Sequence, residues 1–242
     1  MNLAIMQPYF LPYIGYLQLL DSVDKLILYD NLKYTKKGWI NRNRYLVNGD
    51  WKYFTVSLEK DSDFKVISER NVTLEFISKG RQDILRKLKG AYGRAPYFSE
   101  VEPILTEVFS YESANLFDYV LNSIKLLIDW LEIEVEIIAS STVEIPPELT
   151  GSDMVLSYCQ AMKATSYHNP IGGVSLYSQS DFRRQNIDLK FIQTRNFSYR
   201  QFDSDFVTNL SIIDVMMFNE KDEVKNLLEQ YDLVDNDFNK IL

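Results

Sequence analysis

Two short apolar runs on either side of one helix-periodic stretch constrain this chain most. Leu3, Ala4, Ile5 and Met6 form one unbroken run, and Leu26, Ile27, Leu28 and Tyr29 form another that stops at Asp30. Between them, residues 13–23 carry Ile14, Leu17, Leu20 and Val23 on one helical face. Runs of this kind read as strands buried on both sides, and the order strand, helix, strand brings the second strand back parallel to the first. The expected class is α/β: a Rossmann-like parallel or mixed sheet with flanking helices.

The rest of the chain fits that frame. Residues 45–47 and 51–56 flank Asn48-Gly49-Asp50, and Asn-Gly tolerates positive φ at both positions, so a β-hairpin is expected after residue 44. A strand is expected over residues 72–76. Helical spacing recurs over residues 79–92, 99–109 and 114–131, the last with a wide apolar stripe from Leu116 to Leu131 and Ser113 as its expected cap. Residues 135–139 and 189–192 read as strands, 152–163 as a helix, 166–169 as an extended piece, 180–185 as a helical turn and 224–231 as a final amphipathic helix. With no repeat, low-complexity tract or flexible linker, one domain over residues 1–242 is expected, with the helical middle (79–131) as an insertion or subdomain.

Charge narrows the function classes. The formal net charge is −8, yet residues 31–49 hold five bases and no acid, whereas residues 203–242 hold ten acids and three bases. An acidic protein of this kind is not expected to bind nucleic acid generally, but a local basic patch suits a phosphate or carboxylate ligand. The acidic segment reads as solvated helix surface. No apolar run reaches the roughly 18 residues that span a bilayer and no leader pattern opens the chain, so a cytoplasmic protein is expected. One cysteine, Cys159, and one histidine, His168, cannot supply a zinc site, and no phosphate-loop lysine motif or dinucleotide glycine fingerprint occurs. Cys159 sits on an apolar helical face and reads as a buried thiol. His168 is a candidate acid or base, but no serine occupies a nucleophile elbow beside which it could complete a triad, and a structural role is the alternative.

Two early segments concentrate the groups that could bind a ligand. The turn over residues 7–16 carries Gln7, Tyr13, Gly15 and Tyr16 and leads into a helix whose first amides are unpaired, at the strand end where open α/β sheets place ligands. A rigid connection with aromatic packing is the structural alternative. Residues 36–44 then supply Lys36, Trp39, Asn41, Arg42, Asn43 and Arg44: a stacking plane, amides and guanidinium forks. If that segment is extended, Arg42 and Arg44 share one face and Asn41 and Asn43 the other. Farther on, Asn169 precedes Gly172 and Gly173, which permit close backbone approach or merely a tight turn; Tyr177, Tyr199 and Gln201 complete the candidates.

These residues resemble the WbqC-like family, which is found among genes for bacterial surface polysaccharides. The resemblance rests on the run Met6-Gln7-Pro8-Tyr9-Phe10-Leu11-Pro12-Tyr13-Ile14-Gly15-Tyr16, on Asp30, and on Lys36-Lys37-Gly38-Trp39-Ile40-Asn41-Arg42-Asn43-Arg44. It extends through Ala95-Pro96-Tyr97-Phe98, Ser140-Ser141, Asn169-Pro170-Ile171-Gly172-Gly173, Leu176-Tyr177, Tyr199, Gln201 and Leu210-Ser211-Ile212-Ile213-Asp214. The chain departs from the family pattern at Asn31 and Lys33, where an acidic residue and a glutamine are expected, and at Lys79-Gly80, where a histidine is. His168 falls where the pattern calls for none. The opening turn is also similar to that of HIGH-type nucleotidylyl transferases and pantothenate synthetase, with Pro12 to Tyr16 where those carry histidines.

The resemblance implies a role in transferring a small acyl or aminoacyl group, such as glycyl, to the amine of a nucleotide-linked amino sugar during O-antigen or lipopolysaccharide synthesis. The cofactor would be an acyl donor (acyl-CoA or an aminoacyl donor) or ATP. On that reading Trp39, Arg42 and Arg44 hold base and phosphates, Gln7, Tyr13, Asn169 and Gly173 shape the reacting end, and Asp30 or Asp214 takes the amine's proton. Both aspartates have a structural alternative as caps. A non-catalytic binding partner in the same pathway, and an ATP-dependent amide ligase or nucleotidylyl transferase, remain as alternatives.

Overall fold

The two apolar runs at the start of the chain become adjacent parallel strands. In the structure, a computed structural model describing residues 1–203 and 205–235, β1 (Asn2–Met6) leads through α1 (Ile14–Asp21) into β2 (Lys25–Leu28), and the pair is parallel. The hairpin follows as β3 (Arg42–Val47) and β4 (Asp50–Thr55), turning through Asn48 and Gly49 at φ 53° and 78°. Three helices come next, α2 (Arg81–Tyr92), α3 (Phe98–Ser110) and α4 (Leu116–Leu131). The chain then runs through β5 (Glu136–Ala139), α5 (Gly151–Ala161), β6 (Ser166–Pro170), α6 (Gln179–Arg184), β7 (Asp188–Thr194), α7 (Ile212–Phe218), α8 (Lys221–Leu228) and β8 (Tyr231–Val234).

The main sheet has the order β5-β2-β1-β6-β7-β8, with β8 antiparallel to β7 and the other pairs parallel. Its order reverses between β1 and β6, which is the topological switch point where sheets of this type form a ligand crevice. One face carries α5 and α6 over a core that includes Ile5, Tyr167, Phe182 and Phe191. The other carries α1, the hairpin and the remaining helices over a larger core. Phe10, from the opening turn, is fully buried there and meets Phe54 of the hairpin, Phe109 of α3 and Tyr119 of α4. The helical middle therefore shares its apolar contacts with the hairpin and the β1–α1 turn.

Three local expectations are corrected. Residues 72–76 make no strand: Val72 N bonds Ala114 O, Thr73 N bonds Ser57 O, and Thr73 Oγ1 then accepts from Phe76 N at 3.1 Å, starting a π-helical turn over Phe76–Gly80 that runs into α2. A hydroxyl cap has won over the β propensity of the flanking side chains. The cap of α4 is Asn115, whose side chain accepts from Asp118 N, while Ser113 Oγ accepts from Asn115 N. The last helix ends at Leu228, and Tyr231 belongs to the edge strand β8, held beside β7 partly by Arg195 and Asp232. The acidic segment also includes one group that solvent does not reach, Asp214; residues 204 and 236–242 lie outside the described set.

The lone cysteine and histidine are both buried. Burial pushes the Cys159 thiol up to about 12. His168 Nδ1 lies 3.1 Å from Ser22 Oγ at the carboxyl end of α1, and burial lowers its pKa from 6.5 to about 4. Around it, Asp188 and Asp24 oppose that shift and Lys190 adds to it. The folded state therefore favours neutral His168, and stability is lost as pH falls from the unfolded value towards the folded one. Between about pH 7 and pH 5 this residue should remove about 2 kcal/mol, so His168→Gln should flatten the urea-midpoint profile over that window. Equal slopes for the two proteins would contradict it.

Candidate functional site

The β1–α1 turn is held from outside. Asn43 Nδ2 donates to Phe10 O at 3.2 Å and Leu11 O at 2.8 Å, Ser211 Oγ donates to Leu11 O at 2.6 Å, and Ile212 N donates to Pro12 O at 2.7 Å. Phe10 N donates to Trp39 O, bringing the basic loop alongside the turn. These bonds keep Leu11 in the left-handed region at φ 45°, which an unconstrained leucine avoids. Tyr16 is fully buried and donates to Gln7 O at 3.0 Å, so it fixes the turn from beneath. Gly15 permits the crossing above it: a Cβ there would lie 2.5 Å from Tyr13 Cε2 and 2.9 Å from Thr194 Oγ1.

Two cavities open beside this turn. Tyr9, Tyr13, Trp39, Asn43, Arg44 and Asn209 line one of about 290 Å³. The other, about 320 Å³, lies at the carboxyl end of β7 and shares Tyr13 and Asn209 with the first. Among the described residues no side chain caps α1, whose first residue, Ile14, lines the larger cavity beside Tyr13. Donors at a helix start favour an anion.

Arg44 is the charged group of the smaller cavity. Its guanidinium lies 5.2 Å from the Trp39 ring and 5.1 Å from the Trp51 ring, and Nη2 donates to Asn209 O at 2.7 Å. Its Nε is buried without a hydrogen-bond partner, and no carboxylate pairs with it among the described residues. Arg42 lies on the same strand face but donates to Gly38 O at 3.1 Å and to Lys37 O, and packs 4.3 Å from the Tyr53 ring centroid. Asn41 and Asn43 occupy the buried face: Asn41 bonds Val56 O and accepts from the Tyr34 hydroxyl, and Asn43 holds the turn. Both amides are thus committed within the protein. Lys36 is exposed and paired with Asp63 at 2.5 Å, outside either cavity.

Asp30 sits where β2 ends, beside the end of β5. Its Oδ1 accepts from Ser140 Oγ at 2.8 Å and Ser141 N at 2.9 Å, and its Oδ2 from Ser141 Oγ at 2.6 Å. Burial alone would raise its pKa, but the bonds from Ser141 and Ser140 outweigh this and hold the carboxyl below its ordinary range. It has no cationic partner among the described residues.

Asp214 is placed differently. It is fully buried and accepts from Tyr92 Oη at 2.9 Å, Tyr199 Oη at 2.6 Å and Gln201 Nε2. Burial raises its pKa, with the hydrogen bonds of Tyr199, Gln201 and Tyr92 acting against that shift. Tyr92 Oη in turn accepts from Leu46 N, so the network ties α7 to the hairpin. Tyr199 carries this network to the wall of the larger cavity.

At the carboxyl end of β6, Asn169 bonds Pro170 O and accepts from Tyr167 Oη, which also lies 3.4 Å from Tyr177 Oη. A Cβ at Gly173 would come within 2.1 Å of Asn169 Nδ2, so glycine is needed for that packing, while Gly172 has open space. These residues and Gln7 stand at the switch-point strand ends, but none lines the two cavities. His168 is directed to the far end of α1. Of the residues that line these cavities, Phe197, Phe206 and Asn209 were not among the sequence candidates; the signal for the two rings was the aromatic density around Tyr199.

Among the described residues, no cluster of His, Cys, Asp or Glu could hold a metal ion, and no helix is long and apolar enough to cross a membrane. Fold and site together define a Rossmann-like α/β protein with a cation-bearing, aromatic cleft at the carboxyl side of its sheet. The chain belongs to the WbqC-like protein family, whose model matches residues 7–226. It is also 26% identical over 230 residues to the uncharacterized protein Rv1507c of Mycobacterium tuberculosis, covering 94% of this chain and 97% of that one. No solved structure matches it.

Proposed function

We propose that this protein binds a nucleotide-linked amino sugar in the cytoplasm and transfers a small acyl or aminoacyl group, such as glycyl, to the sugar's amine during surface-polysaccharide synthesis. The observation that carries the reading is Arg44, a guanidinium within 5.2 Å of two indole rings, unpaired with any carboxylate among the described residues and lining a cavity beside the start of α1. A diphosphate suits such a site, because it accepts several charge-assisted bonds from a planar fork and from backbone amides.

Asp30, beyond the end of β2 and outside the lining of both cavities, supplies the complementary charge in this scheme. Held ionised by Ser140 and Ser141, it is suited to orienting an ammonium. One ammonium proton leaves to solvent, and the free amine attacks the carbonyl carbon of an acyl thioester or ester. A C–N bond forms, the C–S or C–O bond breaks, and the second nitrogen proton, made acidic by the attack, passes through the carboxylate to the leaving thiolate or alkoxide. Asp214 and Tyr199 support the cleft wall in this scheme.

The direct test is mass spectrometry of UDP- or dTDP-linked amino sugars incubated with the protein and acyl-CoA, or with glycine and ATP. An acylated nucleotide sugar is expected. Calorimetry without heat across such a panel would overturn the reading. Asp30→Asn should weaken amino-sugar nucleotides about tenfold and leave the matching hydroxyl-sugar nucleotides unchanged, since it removes a charge and keeps the shape. Equal effects on both would remove Asp30 from the amine site.

A binding-only role in the same pathway is the second reading. It is favoured by the sealed position of Asp214 and the remote position of His168. Specific binding without any acylated product would select it.

A further inference from the structure

We infer that the larger cavity, at the carboxyl end of β7, is the nucleobase subsite, and that the ligand runs from there past Tyr13 and Asn209 to Arg44. The inference rests on the reading that the ligand is nucleotide-linked, and it places the base away from the Trp39 and Arg42 positions that the sequence alone suggested. The cavity of about 320 Å³ falls within the range of small-molecule sites, about 300–1,000 Å³.

Its wall is built of rings. Tyr199 and Phe206 meet edge to face at 4.9 Å and 76°, Phe197 lies nearly parallel to Tyr199 at 6.2 Å and 17°, and Phe206 closes on Phe197 at 6.3 Å. Tyr13 also lines the space. Tyr199 cannot swing away, because its hydroxyl is tied to the buried Asp214 at 2.6 Å. A preformed aromatic wall of this kind suits a flat heteroaromatic ring, whose stacking gain survives in water and does not depend on one hydrogen-bond pattern. Polar groups in its lining, on Asn196 and Thr208, can meet the edge of such a ring, whereas the Thr194 hydroxyl donates to Gln18 Oε1 at 2.6 Å.

Continuity fixes the direction. Tyr13 and Asn209 belong to both cavities, and Asn209, at φ 56°, turns its carbonyl onto Arg44 Nη2. Tyr13, the residue before α1, borders both cavities and Ile14, its first residue, borders the larger, so phosphates attached to the base would pass the start of α1. Trp39 and Tyr9 line the smaller cavity and not the larger, which leaves the smaller one for the sugar. By contrast, Arg42 spends its donors on Lys37 O and Gly38 O and its face on Tyr53.

The test compares calorimetric titrations of UDP, dTDP and ADP with those of inorganic pyrophosphate, on the wild-type chain, Phe206→Ala and Phe206→Leu. Both variants should lose about tenfold in affinity for at least one nucleoside diphosphate, since a stacking ring contributes about that much, and should bind pyrophosphate as the wild type does. Phe206→Leu keeps apolar volume and removes the ring, so a loss in both variants belongs to stacking. Unchanged nucleoside-diphosphate affinity in either variant, or an equal loss for pyrophosphate, would overturn the base subsite while leaving the proposed function standing. A wild-type chain that binds none of the nucleoside diphosphates would overturn the proposed function itself, and this assignment with it.

Discussion

Asp214→Ala is expected to destabilise the protein by about 4 kcal/mol, because it leaves two tyrosine hydroxyls and an amide donor buried around an empty space. Each buried donor left without a partner costs about 1–3 kcal/mol. The sum is not additive: Gln201 Nε2 also reaches Val207 O at 3.1 Å, and Tyr92 Oη keeps the bond from Leu46 N. Asp214→Asn keeps the volume and one acceptor oxygen and should cost about half as much. Their pH dependence has a definite sign. The folded pKa of Asp214 lies above 3.8, so the stability this carboxyl contributes is present at low pH and lost as pH rises through its folded value. The wild-type excess over Asp214→Asn should therefore shrink as pH rises. Urea unfolding at several pH values measures both effects, and an Asp214→Ala cost below about 1 kcal/mol would show that the network is not what holds α7 to the hairpin.

Arg44→Ala is expected to weaken nucleoside-diphosphate binding about a hundredfold. A charge-assisted hydrogen bond contributes about 1.5–3 kcal/mol, and a hundredfold change corresponds to about 2.7 kcal/mol. Arg44→Lys keeps the charge but loses the planar fork that lies 5.2 Å from the Trp39 ring and 5.1 Å from the Trp51 ring, so about tenfold of that loss should remain. The exposed ring contacts add about 0.5–1 kcal/mol each to folding, which a melting curve separates from the binding effect. Calorimetry with UDP or dTDP reads the result. Binding by Arg44→Ala within about threefold of the wild type would remove Arg44 from the phosphate site.

The β1–α1–β2 unit, the hairpin and the long helices could be read from the sequence because each is specified by its own residues: unbroken apolar runs, the Asn48-Gly49 pair, a stripe of Leu and Ile at helical spacing. The alternation that put Arg42 and Arg44 opposite Asn41 and Asn43 was legible for the same reason, since it follows from the strand period. What those side chains do was not. Asn43 reads in the sequence as an amide available to a ligand, and in the fold that amide is spent on Phe10 O and Leu11 O. Residues 72–76 went astray because Thr73 can cap a helix as readily as it can sit in a strand, and only the partners of Val72 decide between the two.

The sequence alone determined the class of fold, the family and the two early segments beside which the cleft opens, because these depend on local periodicity, turn chemistry and a spread of motifs along the chain. Tertiary structure decided which candidates share a cavity. It brought Asn209 to Arg44 across 165 positions of sequence and sealed Asp214 behind Tyr92 and Tyr199. It also sent His168 to the far end of α1. Burial and long-range hydrogen bonding set those outcomes, and both are properties of the packed chain that no local pattern encodes.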